Sequence, residues 1–397
     1  MADVKALEKV AVRADEDLAR ARAYYAIANI PVDDKKIGEL AAAAEEAHKS
    51  LAAAVAATKP AAPAKAAPGP AAGGTLMGAE TTELIATVTM RMDRLATSMA
   101  HLYALRGTPL VSVRVDNKSV NRKRRVCVRC HIEGYSAEAI ASAELAPNGG
   151  ETFDLFPPVF PEKTRQLMEL TAGALHVRVD DLDSEKVELV MAKPIPMLPP
   201  TTAVLGYRDP QTGATVDQRE ELAAYVTPNS PEILELLRTA VDGSKMKAMI
   251  GYQSMSVDDV REQVRAIYSA LAAAKITYVD TRIAFGAGAG QILQRIRLPR
   301  ESIESQSANC IDGTVLMASL LEATGLDPFL VIVPGHAYLA YRLQPKGGDL
   351  EYVETTVVSS KPFDEAVKIA TERSSTTSSI LRLDVRELRA KGITPME

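Results

Sequence analysis

The sequence predicts an α+β fold in which a β-rich middle follows a helical start and precedes a mixed second half. Over the first 57 residues, apolar and small side chains recur at alternating spacings of three and four, which is typical of amphipathic helices. Residues 110–205 instead alternate apolar with polar side chains in short segments separated by turn residues. Beyond Pro228, long helical patterns return, with apolar strand-like runs between them. Helices and strands in separate blocks of the chain favour the α+β class.

The first 76 residues are predicted to form a helical hairpin (residues 1–57) and a linker (residues 58–76). One helical pattern precedes Pro31 and another follows it. Alanine residues on the facing sides would allow the two helices to pack closely. No cluster of reactive side chains lies on the hairpin, so we expect it to serve packing, self-association or binding of a protein partner. The linker reads KPAAPAKAAPGPAAGG, which cannot hold a helix and offers little to bury.

The β-rich middle, residues 77–207, is predicted to be an Ig-like β-sandwich. A strand begins at Leu84, a short helix ends before Gly107, and the segments LVSVRV, RVCVRCHI, ALHVRVDD and KVELVMA alternate as half-buried strands do. Cys127 and Cys130 form a CxxC in the second segment, but no further ligand pair follows at zinc-site spacing. Both cysteines are therefore predicted to be structural, and no metal is expected.

The last region, residues 208–397, mixes helices with strands. Two helices are predicted over PEILELLRTAV and VDDVREQVRAIYSALAAA, and ITYVD reads as a strand. The glycines of GAGAG, residues 286–290, lack the GxGxxG spacing and the acid about 20 positions on that a dinucleotide site needs. We therefore predict a loop there and expect no cofactor.

Composition argues against several classes of function. The 397 residues carry a net charge of −5 with a pI near 5.7, which disfavours a large surface for nucleic acid or anionic lipid. The one basic cluster, residues 121–125, reads as the solvated start of a strand. No segment reaches the ~18 apolar residues that span a bilayer. Three cysteines fit a reducing compartment, so we expect a cytoplasmic protein with no membrane or nucleic-acid partner.

The third cysteine, Cys310, lies in SQSANCIDGT, where polar sequence gives way to a long apolar run. Asn309 is a good N-cap residue and Asp312 stands where a capping-box acid belongs, so a helix is predicted to begin at Cys310 and to close at Gly325. The unsatisfied amides and the dipole at a helix start favour a thiolate over a thiol. Alternatively, Cys310 is one more buried small residue, since cysteine is common in cores.

Two further residues of the next segment match the needs of a cysteine nucleophile. A buried strand over 329–333 leads to His336, which opens a second strand, and a turn around residues 346–349 returns the chain towards Glu354. A catalytic histidine needs a carboxylate that fixes its tautomer and stabilises the imidazolium. Taken singly, His336 reads as a structural histidine and Glu354 as a sheet-surface residue; together with Cys310 they favour a nucleophile, a base and an orienting acid.

At these residues the sequence resembles the transglutaminase-like branch of the papain-like cysteine fold. The segment RIRLPRESIESQSANCIDGTVLMASLLEATGLDPFLVIVPGHAYLAYRL is similar to bacterial transglutaminase-like domains that follow a β-sandwich. AAYVTPNSPEILELLR, GYQ at 251–253 and FDEAV…LRLDVRELRAKGITP also resemble that group, so the likeness covers roughly residues 80–397. It implies a papain-like catalytic domain over residues 208–397, in which the cysteine helix packs against an antiparallel sheet.

The resemblance also implies roles for individual residues. Cys310 would be the nucleophile, His336 the general base and acid, and Glu354 the third member, where the family usually has Asp. Tyr338 takes the place of a frequent Trp, and its ring can line the site. The backbone N–H of Cys310 would donate to the oxyanion, with a second donor from the side chain of either Gln306 or Asn309.

The sequence therefore predicts cysteine-dependent acyl transfer or amide hydrolysis on a protein or peptide substrate, through a thioester intermediate. Water as the acceptor would make the enzyme a protease or deamidase, and an amine would make it a transglutaminase. The rival prediction is a catalytically silent scaffold that binds protein partners, because a fold does not guarantee turnover.

Overall fold

In a computed structural model, the chain is a mixed α+β protein. The structure describes residues 83–208, 213–280, 291–345 and 347–396, together with separate positions among the first 50. The predicted linker and GAGAG lie outside the described residues, as does most of the predicted hairpin. Within the described part of the chain, no helix is both long and apolar enough to cross a bilayer.

Short strands and helices succeed one another along the described part of the chain. The strands are β1 (Leu84–Met90), β2 (Leu95–Ala96), β3 (Val111–Asn117), β4 (Arg124–Ile132), β5 (Ala139–Leu145), β6 (Gly150–Leu155), β7 (Thr171–Asp181), β8 (Lys186–Leu198), β9 (Thr202–Arg208), β10 (Thr215–Asp217), β11 (Thr277–Tyr278), β12 (Ile292–Arg295), β13 (Ser307–Ala308), β14 (Pro328–Val333), β15 (His336–Gln344), β16 (Gly347–Val353) and β17 (Leu381–Asp384). The α-helices are α1 (Ala100–Arg106), α2 (Pro161–Thr164), α3 (Pro231–Gly243), α4 (Val257–Ala273), α5 (Pro299–Glu304), α6 (Cys310–Ala323), α7 (Phe363–Thr376) and α8 (Val385–Ala390). Two 3-10 segments cover Thr97–Met99 and Arg219–Tyr225.

In the described part of the first half, two sheets enclose one apolar core. The smaller sheet has the order β1-β3-β6 and the larger has the order β2-β8-β7-β4-β5. Their inward positions hold β-branched residues, which fit a pleated surface, and Val113, Val128 and Val179 are fully buried between the sheets. The period-two pattern read from the sequence therefore marks the buried face of these strands.

The second half is built around a four-stranded antiparallel sheet of order β16-β15-β14-β17. One face of the sheet, which includes Leu330 and Leu339, belongs to the large core that also contains α6. The opposite face, which includes Val331, packs with Ala370 of α7. Helix α6 lies next to β15 and β14, and 11 of its 14 residues are buried, so the central helix is held rigidly by the core.

Most predicted elements of this half are confirmed. Helix α4 buries its predicted face, formed by Val260, Val264, Ile267 and Leu271. One feature differs from the division drawn at residues 207 and 208: β9 pairs with β10 and also with β12, so this strand joins a sheet made with the second half. The division into domains at that point stays a prediction.

Candidate active site

The start of α6 fixes Cys310 in place. As predicted, the helix begins at Cys310, and a capping box closes its first turn: Asn309 Oδ1 accepts from Asp312 N at 2.9 Å, and Asp312 Oδ2 accepts from Asn309 N at 3.0 Å. Arg297 also binds Asp312, donating from its backbone N at 2.8 Å and from Nη1 at 2.9 Å. Burial raises the pKa of Asp312 despite these hydrogen bonds. A fully buried acid thus anchors the turn that carries the thiol.

The segment that leads into α6 is also fixed in place, by strand pairing. Strand β13 ends two residues before Cys310 and pairs in parallel with β11, through Thr277 with Ser307 and Tyr278 with Ala308. The Cys310 residue is half-buried, whereas Cys127 and Cys130 are buried. Cys310 therefore differs from the other two cysteines in its access to solvent.

His336 opens β15 after a tight reversal. Val333 pairs with His336, which leaves Pro334 and Gly335 as a two-residue turn, and Gly335 has a φ of +74° that glycine adopts without strain. This turn places the imidazole at the end of the sheet beside the first turn of α6. The histidine is therefore positioned by a regular strand rather than by a long loop.

Glu354 immediately follows β16, the neighbour of β15. It is 1% exposed, and its Oε2 accepts a hydrogen bond from His336 Nε2 at 2.8 Å. The other oxygen, Oε1, accepts from Thr356 N at 3.1 Å and from Thr356 Oγ1 at 2.7 Å, while Glu354 N donates to Ala366 O at 3.2 Å. Both carboxylate oxygens and the backbone are thus engaged, so the acid has one orientation.

His336 Nε2 is hydrogen-bonded to Glu354, and the side chain of Cys310 is near enough to the same imidazole to be one of the groups that raise its pKa. Since Nε2 is taken by Glu354, Nδ1 is the ring nitrogen left for the thiol. The structure thus brings the three predicted catalytic residues together in the order thiol, imidazole and carboxylate.

The electrostatics of this chain favour a charged imidazole. Burial lowers the pKa of His336, but the hydrogen bonds and charges of Cys310 and Glu354 outweigh burial and raise it to about 9. Burial likewise raises the pKa of Glu354, but His336 and Thr356 outweigh it and hold this pKa below its usual range. At neutral pH the arrangement is therefore an imidazolium beside a carboxylate, which can stabilise a thiolate on its other side.

The remaining predicted site residues lie around this core. Tyr338 is fully buried behind His336, with ring centroids 6.1 Å apart, and no described residue hydrogen-bonds to its hydroxyl. Gln306 Nε2 donates to Ala274 O at 3.1 Å, and Asn309 Oδ1 serves the helix cap. The side-chain oxyanion donor stays open between Gln306 and Asn309.

Among the residues near the site that the sequence did not indicate are Arg373 and Gly313. Arg373 of α7 places its Nε 3.5 Å from Glu354 Oε2, and no local pattern around Arg373 indicates this. Gly313 lies one turn into α6, where a Cβ would come within 3.1 Å of Thr355 Oγ1. A glycine inside an apolar helix lowers helix stability. Its presence in this stretch of the sequence was therefore the available sign that another part of the chain passes close to the helix.

Other predicted features are accounted for by pairing or burial. Burial raises the pKa of Cys130 to about 12, and Cys127 lies on the same buried strand. The basic cluster pairs with carboxylates, Arg124 with Asp181 and Arg125 with Asp183. Among the described residues, no group of three or more His, Cys, Asp or Glu side chains is arranged to hold a metal ion.

Comparison with known proteins adds no identification. No protein-family model matches the sequence, and no curated protein matches it either. The chemistry of the cluster formed by Cys310, His336 and Glu354 is therefore inferred from its own geometry.

Proposed function

We propose that the protein is a cysteine-dependent acyltransferase or amide hydrolase that acts on protein or peptide substrates. The observation that carries this proposal is the hydrogen bond between His336 Nε2 and Glu354 Oε2 at 2.8 Å, on an imidazole whose pKa the neighbouring Cys310 side chain also raises. A nucleophile, a base and an orienting group in mutual contact are what covalent catalysis requires.

The proposed reaction begins when the Cys310 thiolate attacks a carboxamide carbonyl, forming a C–S bond. His336 protonates the leaving amine or ammonia as the C–N bond breaks, which leaves a thioester on Cys310. Water or an incoming amine then attacks the thioester, His336 takes its proton, and the thiolate is released. The backbone N–H of Cys310, at the start of α6, would stabilise the oxyanion of both tetrahedral intermediates.

We further propose that the second half is a papain-like core of the transglutaminase-like kind and that the first half is an Ig-like β-sandwich. A cysteine helix packed on an antiparallel sheet supports the former, and two sheets around one core support the latter. The family usually has Asp where this chain has Glu354, and the 2.8 Å contact supports Glu354 in that role.

The first experiment measures the alkylation of each cysteine by iodoacetamide at pH 6, using mass spectrometry of the peptides. We expect Cys310 to react much faster than Cys127 and Cys130, and His336→Ala to remove that advantage. His131→Ala, which changes a histidine on the sheet of the first half, is the matched control and should retain it. If Cys310 reacts no faster than the other two cysteines, the proposal is wrong.

The second experiment asks for turnover. A proteome is incubated with the wild type or with Cys310→Ala, and new N-termini, released ammonia and new crosslinks are measured. New N-termini would identify a protease, ammonia alone a deamidase, and crosslinks a transglutaminase. Fast alkylation of Cys310 with none of the three products would instead favour the silent scaffold.

A further inference from the structure

Arg373 of α7 lies beside the proposed catalytic acid. Its Nε is 3.5 Å from Glu354 Oε2, the same oxygen that accepts a hydrogen bond from His336 Nε2 at 2.8 Å. This Nε atom is buried, and among the described residues it has no hydrogen-bond partner. The hydrogen bond of Oε2 therefore goes to His336, while Arg373 acts on that oxygen through its charge. A guanidinium and an imidazolium thus share one carboxylate oxygen.

The packing of α7 fixes the arginine in this place. Arg373 lies in the last turn of the helix, where a cation interacts favourably with the helix dipole. Ala370, three positions earlier, shares its helix face and belongs to the same apolar cluster as Val331 and Tyr338 of the sheet. The side chain of Arg373 is 40% exposed, so water screens its charge only in part.

Several other titratable or charged groups surround the two proposed catalytic residues. They are Tyr268 of α4, Cys310 of α6, Tyr338 of β15, Glu365 and Arg373 of α7, and Arg382 of β17. Burial raises the pKa of Tyr268 and of Tyr338, so both hydroxyls are neutral. Glu365 pairs with a neighbouring lysine. In the described part of the chain, Arg373 is therefore the cation that pairs with the acid besides the imidazolium.

The positive charge of Arg373 opposes the positive charge of His336. The pKa of His336 is raised to about 9, and Glu354 is among the causes. A second cation on Oε2 repels the imidazolium and offsets part of the negative charge that stabilises it. Because Thr356 holds the other oxygen of Glu354, the acid keeps its orientation with or without the arginine. The guanidinium thus makes the imidazolium a stronger acid, which favours protonation of a leaving amine.

We infer that Arg373 is a positioning residue that shares Glu354 Oε2 with His336 and thereby limits how tightly the imidazolium holds its proton. The inference rests on the proposed function, because this limit matters for a histidine that gives up and takes back a proton in each cycle. A merely structural arginine would instead bring Glu354 to His336, and its loss would weaken their hydrogen bond. The two roles predict opposite shifts in the pKa of His336.

NMR titrations of the His336 ring and of the Glu354 carboxyl test this inference. Arg373→Met keeps a long apolar stem and removes the charge, so both pKa values should rise, that of His336 by about 0.5–1 unit. Arg373→Lys keeps the charge and should restore most of the difference. Arg382→Met is the matched control, because it removes a guanidinium that binds the Tyr352 hydroxyl on the same face of the sheet, and it should leave both pKa values unchanged.

Three results would overturn the inference. A fall in the pKa of His336 in Arg373→Met would show that the arginine only supports the packing of α7. An unchanged pKa would show that the guanidinium does not act through Glu354, and an equal rise in Arg373→Lys would assign the effect to shape rather than charge. If Arg373→Met does not fold, Arg373→Gln takes its place with the same expectations.

The proposed function fails on a different measurement. Slow alkylation of Cys310 by iodoacetamide at pH 6 in the wild type would overturn that proposal. The two titrations need no turnover, so they still decide whether Arg373 acts on His336.

Discussion

At the scale of single residues, the charge state of the site follows from which groups share the His336 ring. Burial lowers the pKa of the imidazole, but the hydrogen bonds and charges of Cys310 and Glu354 outweigh burial and raise it. The acid can do this because Thr356 satisfies its second oxygen, so Glu354 remains a carboxylate although it is 1% exposed. The proton on His336 therefore depends on Cys310, on Glu354 and, through Glu354, on Thr356.

Removing the charge of Glu354 should release that proton. We expect NMR titration to give a pKa of about 9 for His336 in the wild type. In Glu354→Gln the pKa should fall by about 1–3 units, because a neutral amide no longer stabilises the imidazolium. Glu365→Gln, on α7 but paired with Lys361, should leave it unchanged. An unchanged His336 pKa in Glu354→Gln would show that the acid does not control the proton.

At the scale of elements, the sequence predicted those helix and strand boundaries that are determined by residues close together in the chain. Helix α6 has its N-cap pair and its closing Gly325 within 17 residues, and the structure confirms its start at Cys310. The turn predicted around residues 346–349 is wrong in detail: Gly347, Gly348 and Asp349 belong to β16. The register between β15 and β16 is irregular there, and Gly348 has a φ of +91°, so a glycine pair read as a turn sits inside the strand.

Contacts between residues far apart in the sequence could not be predicted from local sequence patterns. The alternating segments predicted β3, β4, β7 and β8, but β5 (AIASAEL) and β6 (GETFDL) hold few large apolar side chains, and this weaker apolar character did not identify them. Arg373 reaches Glu354 only because α7 packs on the sheet, and this contact depends on tertiary packing alone. The sequence likewise suggested Glu354 as a partner of His336 without fixing the contact, since reach depends on backbone placement.

The close contact between Gly313 of α6 and Thr355 can be tested by adding a side chain at Gly313. Gly313→Val should force Thr355 away from the helix, at about 1–3 kcal/mol of stability, the usual cost of overpacking. The displacement should also separate Cys310 from Glu354 and slow alkylation of Cys310 at pH 6. Gly243→Ala is the matched control, because nothing lies within 4 Å of its added Cβ, and it should stabilise or be neutral. Urea unfolding and alkylation rates provide the measurements; normal alkylation in Gly313→Val would contradict the role given to this approach.

The role of Asp312 as the buried cap of α6 can be tested by removing its side chain. Asp312→Ala should lower the free energy of unfolding by about 1.5–3 kcal/mol, because Arg297 and the first turn lose charged hydrogen bonds. Asp364→Ala, which removes an exposed partner of Arg265, is the matched control and should cost much less. Equal losses in the two variants, measured by urea unfolding, would contradict the anchoring role of Asp312.

At the scale of the whole molecule, the site should leave a signature in the pH dependence of stability. The pKa of His336 is raised from an ordinary 6.5 to about 9, so its contribution to folding is full below pH 6.5 and is lost as pH rises through 9. The pKa of Glu354 is lowered from an ordinary 4.5, so its contribution is full above pH 4.5 and is lost at lower pH. Both groups contribute fully only between these two ordinary values.

This signature can be measured as a difference between two proteins. The free energy of unfolding of the wild type minus that of His336→Asn should be constant from pH 5 to about 6.5 and should then shrink towards pH 9. A difference that stays constant up to pH 9 would mean that His336 is not a raised-pKa group.

The backbone hydrogen bond from Glu354 to Ala366 has a consequence for the time at which the protein becomes reactive during its synthesis. Cys310, His336 and Glu354 lie within 45 residues, but β14 lies between β15 and β17, and the acid is tied to the start of α7. A ribosome must therefore translate past Asp384 before the sheet that carries the histidine is complete. Nascent chains shorter than this lack one strand of that sheet, so we expect the proposed cluster of Cys310, His336 and Glu354 to become stable only after β17 has been made.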